Sequence, residues 1–486
     1  MKQESAPETS DVVRRDRFSG GPARGFLSSM DDDDRIFEAD LAVDRAHVVM
    51  LAEQGIVGDD EASTILGALE AVEQAGFDSL PDGEDVHAAI ETAVVSKIGD
   101  VGGKMHTARS RNDEVATCIR YRLREDVLSA VETTLALRET LADMATEHAE
   151  TVMPGYTHLQ PAQPTTVGHY LLSYEQAVAR DTERLFDAYE RVNRSPLGAA
   201  AFAGTPFDVD RERTAELLGF DGFVANSMDA ASARDFLVEV VAALANLATT
   251  VSGLAEDLVV FSNKGLVELS DDYSSTSSIM PQKKNPDTLE LVRSIAGDAS
   301  AGLNGLLTTL KGLPRAYNRD LQNATPHAWD AADAVTDAVE VAAGAVATAS
   351  WDEDALAEAA GEGFSTATGV ADLLAMQGVP FRKAHEMVAI ASENGADYAA
   401  LDSAAEDVLG NSLSNYVEPA AVEAALDPAE SVAMRDSTGG PAPGAVAEQV
   451  AAAEVGVTAD GDQLADERES LTSASAALTE VMNKYD

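Results

Sequence analysis

A short segment of the chain, residues 274–287 (SSTSSIMPQKKNPD), places several hydroxyls and two lysines directly before a predicted helix. Asn285 is suited to an N-cap, Pro286 to the first helical position, and Asp287 to the positive end of the helix dipole. A helix N-terminus stabilises anions, and hydroxyl and ammonium groups beside it add donors and positive charge. The segment is therefore predicted to be a catalytic element that binds carboxylates.

Two further segments carry residue types suited to a carboxylate substrate. Residues 103–113 (GKMHTARSRND) contain arginines, which bind carboxylates through two parallel hydrogen bonds, beside an asparagine that could orient a polar group. In residues 155–164 (GYTHLQPAQP), prolines restrict the backbone on both sides of His158. Taken alone, the first segment fits surface ion pairs equally well, and a lone histidine is more often structural than catalytic.

A fourth segment, residues 315–322 (RAYNRDLQ), combines a phenol with amides that could hold the polar end of a ligand. Without other information, an ordinary loop would explain it equally well. The single cysteine, Cys118, excludes an intrachain disulfide and a cysteine-based metal site, and we expect it to be a small buried residue. No spacing of His, Asp and Glu typical of a metal site occurs, so neither a metal nor a cofactor is expected.

The composition is strongly acidic, with 84 Asp and Glu against 34 Lys and Arg and a net charge of -50. Such a charge disfavours nucleic acids and anionic membranes as partners. A hydrophobic content of 45% predicts a folded protein rather than a disordered one. We interpret the acidity, including the run at residues 31–34, as adaptation to concentrated salt.

Long helical patterns dominate the chain and predict an all-α fold. They cover residues 36–54, 60–74, 112–150, 164–194, 233–263 and 286–310, and no block is strongly strand-like. The apolar stretch at residues 236–261 is interrupted by charged residues, which predicts a buried bundle helix rather than a membrane span. The polar lead-in at residues 1–25 lacks the apolar core of a signal peptide, so a cytoplasmic protein is expected.

The segment at 274–287 resembles the signature loop of the fumarase/aspartase superfamily, Gly-Ser-Ser-x-Met-Pro-x-Lys-x-Asn, and its ending resembles argininosuccinate lyases. The other three segments agree with that family in order and spacing, as do residues 25–30, 84–87, 226–229, 234–236, 380–385 and 431–435. The resemblance implies three domains, at 1–111, 112–360 and 361–486. It also implies a homotetramer whose long central helices form a helical core and whose active sites are shared between subunits.

The implied reaction is cofactor-free cleavage of argininosuccinate to arginine and fumarate, the last step of arginine biosynthesis. By the resemblance, Ser277 is the general base, assisted by Lys283, and His158 is the general acid, tuned by Glu290. The substrate contacts implied by the same resemblance are Ser29, Arg111, Asn112, Thr157, Asn285, Tyr317 and Gln322.

Two positions depart from the family. Thr276 replaces a glycine before the paired serines, and Thr325 replaces a substrate-binding lysine three residues after Gln322. One carboxylate contact is therefore lost or supplied elsewhere. Adenylosuccinate lyase, aspartase and fumarase share the signature loop but differ in the other segments. A non-catalytic scaffold like the lens crystallins is the alternative of another class, and retention of the proposed catalytic residues disfavours it.

Overall fold

Helices account for most of the computed structural model, which describes residues 22–485. The N-terminal helices are α1 (Pro22–Leu27), α2 (Phe37–Glu53), α3 (Asp59–Ala75) and α4 (Val86–Ile98). The middle of the chain forms α5 (Arg111–Glu147), α6 (Val167–Val192), α7 (Arg211–Leu217), α8 (Ser227–Ser232), α9 (Asp235–Asn263), α10 (Asp287–Leu310) and α11 (Thr325–Ala347). The later helices are α12 (Glu353–Gly361), α13 (Ala367–Met376), α14 (Phe381–Ser392), α15 (Tyr398–Leu409), α16 (Pro419–Leu426), α17 (Pro428–Ala433) and α18 (Pro443–Met482).

The six strands within residues 22–485 are short: β1 (Val152–Thr157), β2 (Gln160–Thr166), β3 (Val267–Glu268), β4 (Ser275–Thr276), β5 (Lys284–Asn285) and β6 (Ser350–Trp351). They form three antiparallel pairs, β1 with β2, β3 with β6 and β4 with β5. The predicted all-α class is confirmed as a mostly helical fold. The expectation that no segment is strand-like was wrong for the β1–β2 hairpin. Most of the polar lead-in predicted for residues 1–25 lies outside the described residues.

Five long helices, α5, α6, α9, α10 and α11, form an antiparallel bundle. Arg120 on α5 donates a hydrogen bond to the carbonyl of Arg191 near the end of α6, at 2.6 Å. The hydroxyl of Ser252 on α9 donates to the carbonyl of Arg293 near the start of α10, at 3.1 Å. Gly344, near the end of α11, lies against the ring of Tyr273, which precedes α10, with no room for a Cβ atom.

This packing gives the bundle two ends, which we name by the residues found there. The Arg111 end holds the starts of α5, α9 and α11 and the ends of α6 and α10. The Ser277 end holds the end of α5, the β1–β2 hairpin, the end of α9 and the loop before α10. The predicted site residues are distributed between these two ends.

Helix α9 lies in the middle of the bundle. By length and composition this helix could cross a membrane, and the mean hydropathy of its most apolar window is 1.6. The charged residues within it do not make it too polar for a membrane span, contrary to the sequence prediction. More than half of that window is buried, however, and residues such as Val240, Leu247 and Leu258 pack in the core. Bundle packing therefore explains its apolar sequence.

The start of α5 is fixed by one buried carboxylate, that of Asp113. Its Oδ1 accepts the backbone N–H of Ser110 at 2.9 Å, which forms a capping box with the Ser110 side chain. Its Oδ2 accepts the N–H groups of Gly198 and Ala200 at 3.0 and 2.8 Å. Asp113 thus ties the first turn of α5, which carries two predicted site residues, to a loop after α6.

A second hydrophobic core lies within residues 364–434, where α13 to α17 pack on one another. The last helix, α18, packs instead on α5 and α6 and contributes Val446, Val450 and Leu464 to the main core. The domain limits at 1–111, 112–360 and 361–486 stay a prediction.

A buried charge cluster joins α18 to the bundle. Arg138 on α5 lies 2.9 Å from Glu175 on α6, both being about 3% exposed, and also pairs with Asp460 on α18. A second pair between α5 and α18, Glu132 with Arg468, is exposed to solvent. The two pairs join the same helices but differ in burial.

We expect Arg138→Met to lower the free energy of unfolding by about 3–5 kcal/mol, because it leaves Glu175 buried without a countercharge. The control Arg468→Met should cost at most about 1 kcal/mol, since exposed pairs contribute little. Denaturant unfolding of both variants in the same concentrated salt measures the difference. Equal losses in the two variants would contradict this account of α18.

Candidate active site

A cavity of about 190 Å³ opens at the Arg111 end. Five of the predicted substrate contacts line it, although they come from separate parts of the chain: Ser29, Arg111, Asn112, Tyr317 and Gln322. Thr325, the residue that stands in place of the family lysine, lines the same cavity. The structure therefore brings together the predicted residues that lie before α2, at the start of α5 and before α11.

The Ser29 side chain is held by Asp33. Its hydroxyl donates to Asp33 Oδ2 at 2.8 Å, and the same oxygen accepts the N–H of Val86 at 3.0 Å. Burial raises the pKa of Asp33 to about 6, although these hydrogen bonds and the nearby His87 oppose the shift. Asp33 is therefore a structural residue of the cavity wall, and our assignment of the whole acidic run at 31–34 to salt adaptation was wrong for it.

The signature loop lies at the Ser277 end and is closed by hydrogen bonds. The Ser277 hydroxyl oxygen accepts the N–H groups of Met280 and Ile279 at 3.1 and 3.4 Å. The backbone N–H of Ser277 donates to the carbonyl of Lys283 at 3.2 Å. The turn therefore aims two backbone donors at the oxygen of the predicted general base.

The predicted capping of α10 was wrong by one residue. Asn285 belongs to β5 and pairs with Ser275, Pro286 occupies the N-cap position, and the helix begins at Asp287. The carboxylate of Asp287 accepts a hydrogen bond from the Ser275 hydroxyl. The β4–β5 pairing extends the loop to this point, so Asn285 is not available as a cap.

The two lysines of the loop differ in their surroundings. Lys284 lies 2.9 Å from Asp271 and 3.1 Å from Glu268. Lys283 is exposed, and so is Glu290 on the first turn of α10; neither side chain has an ion-pair partner within residues 22–485. The ammonium group of Lys283 is thus the one of the two that is open to an incoming anion.

His158 occupies the tip of the β1–β2 hairpin. Thr157 pairs with Gln160, so His158 and Leu159 form a two-residue turn, and both have a φ of 57°. Two-residue hairpin turns of this kind require a positive φ at both positions. Residues other than glycine and asparagine disfavour that conformation. Backbone strain of this type clusters at functional sites. The turn presents His158 and Thr157 to solvent, outside any contact with the cavity.

The predicted site residues therefore form two groups that a single chain keeps apart. Helix α10 has 24 residues, which at about 1.5 Å per residue separate the Ser277 loop from the Arg111 end by roughly 36 Å. Thr157, His158, Ser277, Lys283, Asn285 and Glu290 lie at the Ser277 end, and the remaining predicted contacts lie at the other. Within the described residues, no hydrogen bond or ion pair joins His158 to the signature loop or to Glu290.

Comparison with known proteins identifies the family. A model of the lyase family matches residues 27–300, and a model of the argininosuccinate lyase C-terminal region matches residues 364–433. The argininosuccinate lyase of Natronomonas pharaonis is 73% identical over 99% of this chain and 98% of its own length. The chain belongs to the argininosuccinate lyase family.

One further relative and one solved structure extend the comparison. The argininosuccinate lyase of Haloarcula marismortui is 67% identical over 98% of this chain and 96% of its own length. The crystal structure of EDDS lyase in complex with formate superposes with a TM-score of 0.86 at 33% identity, covering 98% of both chains. The halophilic relatives support the origin predicted from the acidic composition.

A buried cluster of charged residues lies directly behind the cavity of this protein. The sequence did not indicate this cluster. Arg109 contacts Asp44 at 2.5 Å and Glu114 at 2.9 Å, while His87 Nδ1 lies 2.8 Å from Asp40. Burial by itself lowers the pKa of His87, but the charge and hydrogen bond of Asp40, together with the charges of Glu114 and Asp85, outweigh burial and raise this pKa to about 10. Burial raises the pKa of Glu114 well above its usual range.

The same cluster contains two groups of side chains that are close enough to hold a metal ion, which spacing along the sequence did not indicate. Donor atoms of Asp40, His87 and Cys118 lie within 4.8 Å of one another, and so do those of Asp40, Asp44 and Glu114. Arg109 and His87 already supply positive charge to these carboxylates. The set therefore fits an ion-pair network better than a metal site. Cys118 is buried, as predicted.

Sequence reasoning assigned no part in a binding site to several residues of the cavity wall. They are Asp32, Asp33, Asp85, His87, Arg234, Arg319 and Trp329. His87 and Arg234 lie in segments that resemble the family, and that resemblance was the sequence signal that could have indicated them. Their burial and pairing could not be obtained from spacing.

The raised pKa of Asp33 has a measurable effect on stability. Because it moves from 3.8 to about 6, the folded protein keeps a proton between those pH values that the unfolded chain releases. This contribution to stability is present below pH 3.8 and is lost as the pH rises through about 6.

We expect Asp33→Asn to remove that loss. Between pH 4 and pH 7, the free energy of unfolding should fall by up to about 3 kcal/mol more in the parent protein than in the variant. Unfolding curves across this range test it, with the exposed Asp31→Asn as a control for loss of one surface charge. A difference between parent and Asp33→Asn that does not vary with pH would contradict the assignment.

Proposed function

We propose that this protein is a cytoplasmic argininosuccinate lyase that cleaves argininosuccinate into arginine and fumarate without a cofactor and completes arginine synthesis. The observation that carries the proposal is the cavity at the Arg111 end. Five residues at family substrate-binding positions meet there, in a chain 73% identical to a protein named argininosuccinate lyase.

The reaction removes a weakly acidic proton from the carbon beside a carboxylate of the succinyl half, and then breaks the bond between carbon and guanidine nitrogen. Ser277 takes the proton. The negative charge spreads into the adjacent carboxylate, where Lys283, Asn285 and the positive end of α10 stabilise it. His158 gives a proton to the departing guanidine nitrogen, and Glu290 keeps the imidazole protonated.

An ordinary serine is too weak a base for this step, so the Ser277 oxygen needs activation. The two N–H groups of Met280 and Ile279 point at that oxygen and stabilise negative charge on it. The ammonium group of Lys283, which no carboxylate of residues 22–485 pairs with, adds positive charge in the same loop. These contacts support Ser277 as the base.

The separation of the two ends supports a shared active site. One antiparallel neighbour could place its Ser277 end against the Arg111 end of another chain, as closed symmetry allows. Helix α10 exposes a stripe of apolar and small residues on one side, Leu291, Ser294 and Ala301, with Asp298 among them. Leu291 is 70% exposed, which favours burial of this stripe against other subunits of a homotetramer.

The activity is tested by supplying argininosuccinate to the purified protein in concentrated potassium chloride. We expect fumarate, followed by its ultraviolet absorbance, and arginine to appear in equal amounts. Adenylosuccinate and aspartate should give no product. Absence of turnover by a verified tetramer would instead favour another lyase or a non-catalytic scaffold.

Ser277→Ala should lower kcat by about 10²–10⁴-fold, which is the usual contribution of a general base. The tetramer should persist by light scattering, because the substitution leaves the α10 stripe unchanged. Ser392→Ala, an exposed serine on α14, is the matched control and should keep full turnover. Undiminished turnover of Ser277→Ala would exclude this serine as the base.

Sharing of the site predicts complementation between inactive variants. Asn112→Ala alters the Arg111 end and Ser277→Ala alters the other end, so each homotetramer should be inactive. After the two are dissociated together and reassembled, roughly a quarter of the sites should combine two intact halves. Turnover that stays at the level of the separate variants would mean that both residues of a site come from one chain.

A further inference from the structure

Arg234 is a buried cation of the cavity wall that lacks a countercharge. The residue is 3% exposed, and its Nη1 donates to the carbonyl of Ala233 at 2.8 Å. Its Nε is buried without a hydrogen-bond partner, and no carboxylate of residues 22–485 forms an ion pair with it. Burial of an unpaired cation is costly, so such a group usually meets an anion.

The other cations of the same cavity are already paired. Arg111 lies 3.3 Å from Asp85, Arg319 lies 2.6 Å from Glu84, and His87 lies 2.8 Å from Asp40. Their charge is therefore largely matched within the chain. Arg234 differs from them because the positive charge that it brings to the cavity remains available for a ligand.

The surroundings of Arg234 favour the binding of an anion beside it. Burial lowers its pKa to about 10. The nearby guanidinium of Arg120 is a second buried cation, and the positive charge of Arg234 contributes to the lowered pKa of Arg120. A carboxylate bound in the cavity would relieve both effects.

Arg234 is also in the right part of the cavity for one half of the substrate. Tyr317 lies close enough to interact electrostatically with it, and Tyr317 and Gln322 are at family positions that bind the arginine half. Thr325, on the same wall, has no charge. The succinyl half is instead assigned to the signature loop, which comes from the opposite end of a bundle.

We infer that Arg234 binds the α-carboxylate of the arginine half of argininosuccinate and supplies the positive charge that Thr325 lacks. The inference rests on the proposed function and adds a substrate-binding residue to it. A guanidinium with unused N–H groups matches a carboxylate with two parallel hydrogen bonds. Arginine, the product that keeps this carboxylate, should therefore depend on Arg234 for binding.

Inhibition by three small molecules tests this on the intact enzyme. In Arg234→Gln, the inhibition constant of arginine should rise roughly 10- to 100-fold, the effect expected for loss of a charged hydrogen-bonded pair. Agmatine, which is arginine without its carboxylate, and fumarate should inhibit the variant and the parent equally. KM for argininosuccinate should rise more than kcat falls.

Restoration of charge gives a second readout. Adding Thr325→Lys to Arg234→Gln should recover much of the affinity for arginine, since it places an ammonium group on the same wall. Arg234→Lys, which keeps the positive charge, should show an intermediate loss for arginine and none for agmatine. Arg468→Gln removes an exposed guanidinium and should match the parent in every assay.

The outcomes separate this inference from the proposed function. A parent enzyme that produces no fumarate overturns the proposed function itself. A parent that turns over, with arginine inhibiting Arg234→Gln and Arg234→Lys as strongly as the parent, overturns the role of Arg234. Equal weakening of arginine and agmatine, or no recovery on adding Thr325→Lys, also overturns it, because the loss would then not concern the carboxylate.

Discussion

The antiparallel packing of five long helices determines where most of the predicted site residues of this protein lie. Since α9, α10 and α11 alternate in direction, the loops between them fall at opposite ends, about the length of one helix apart. The signature loop and the β1–β2 hairpin, which carries His158, lie at one end, while the cavity lies at the other. Bundle geometry, rather than any contact within the site, therefore keeps the two groups of predicted site residues apart within one chain.

The charged residues at the two ends of the bundle differ in burial and in pairing. At the Arg111 end, carboxylates and cations are buried and matched almost pair by pair, which fixes the shape of the cavity wall. At the Ser277 end, His158, Lys283 and Glu290 are exposed and lack partners within the described chain. Buried, paired charges that shape the cavity thus lie at one end of the chain, and exposed, unpaired polar groups lie at the other.

Helix positions were predictable from the sequence because the apolar periodicity and the caps are local. The predicted helix at 36–54 is Phe37–Glu53 in the structure, and that at 286–310 is Asp287–Leu310. The β1–β2 hairpin was missed because prolines at positions 154, 161 and 164 disfavour a strand assignment, although an isolated two-stranded ribbon accepts them. The family resemblance indicated the cavity residues Ser29, Tyr317 and Gln322. It could not show that Asp33 is buried or that Arg234 lacks a countercharge, because both depend on packing between distant segments.

The exposed stripe on α10 has a consequence for how salt would act on this protein. A chain of net charge -50 repels its own copies, while the stripe attracts them only through apolar contact. Counterions in concentrated salt screen the repulsion over distances of a few ångströms. If the site is shared between subunits, dilution of salt would first separate the chains and part the two halves of each site. Catalysis would then fail by dissociation, while the helices of each separate chain were still folded.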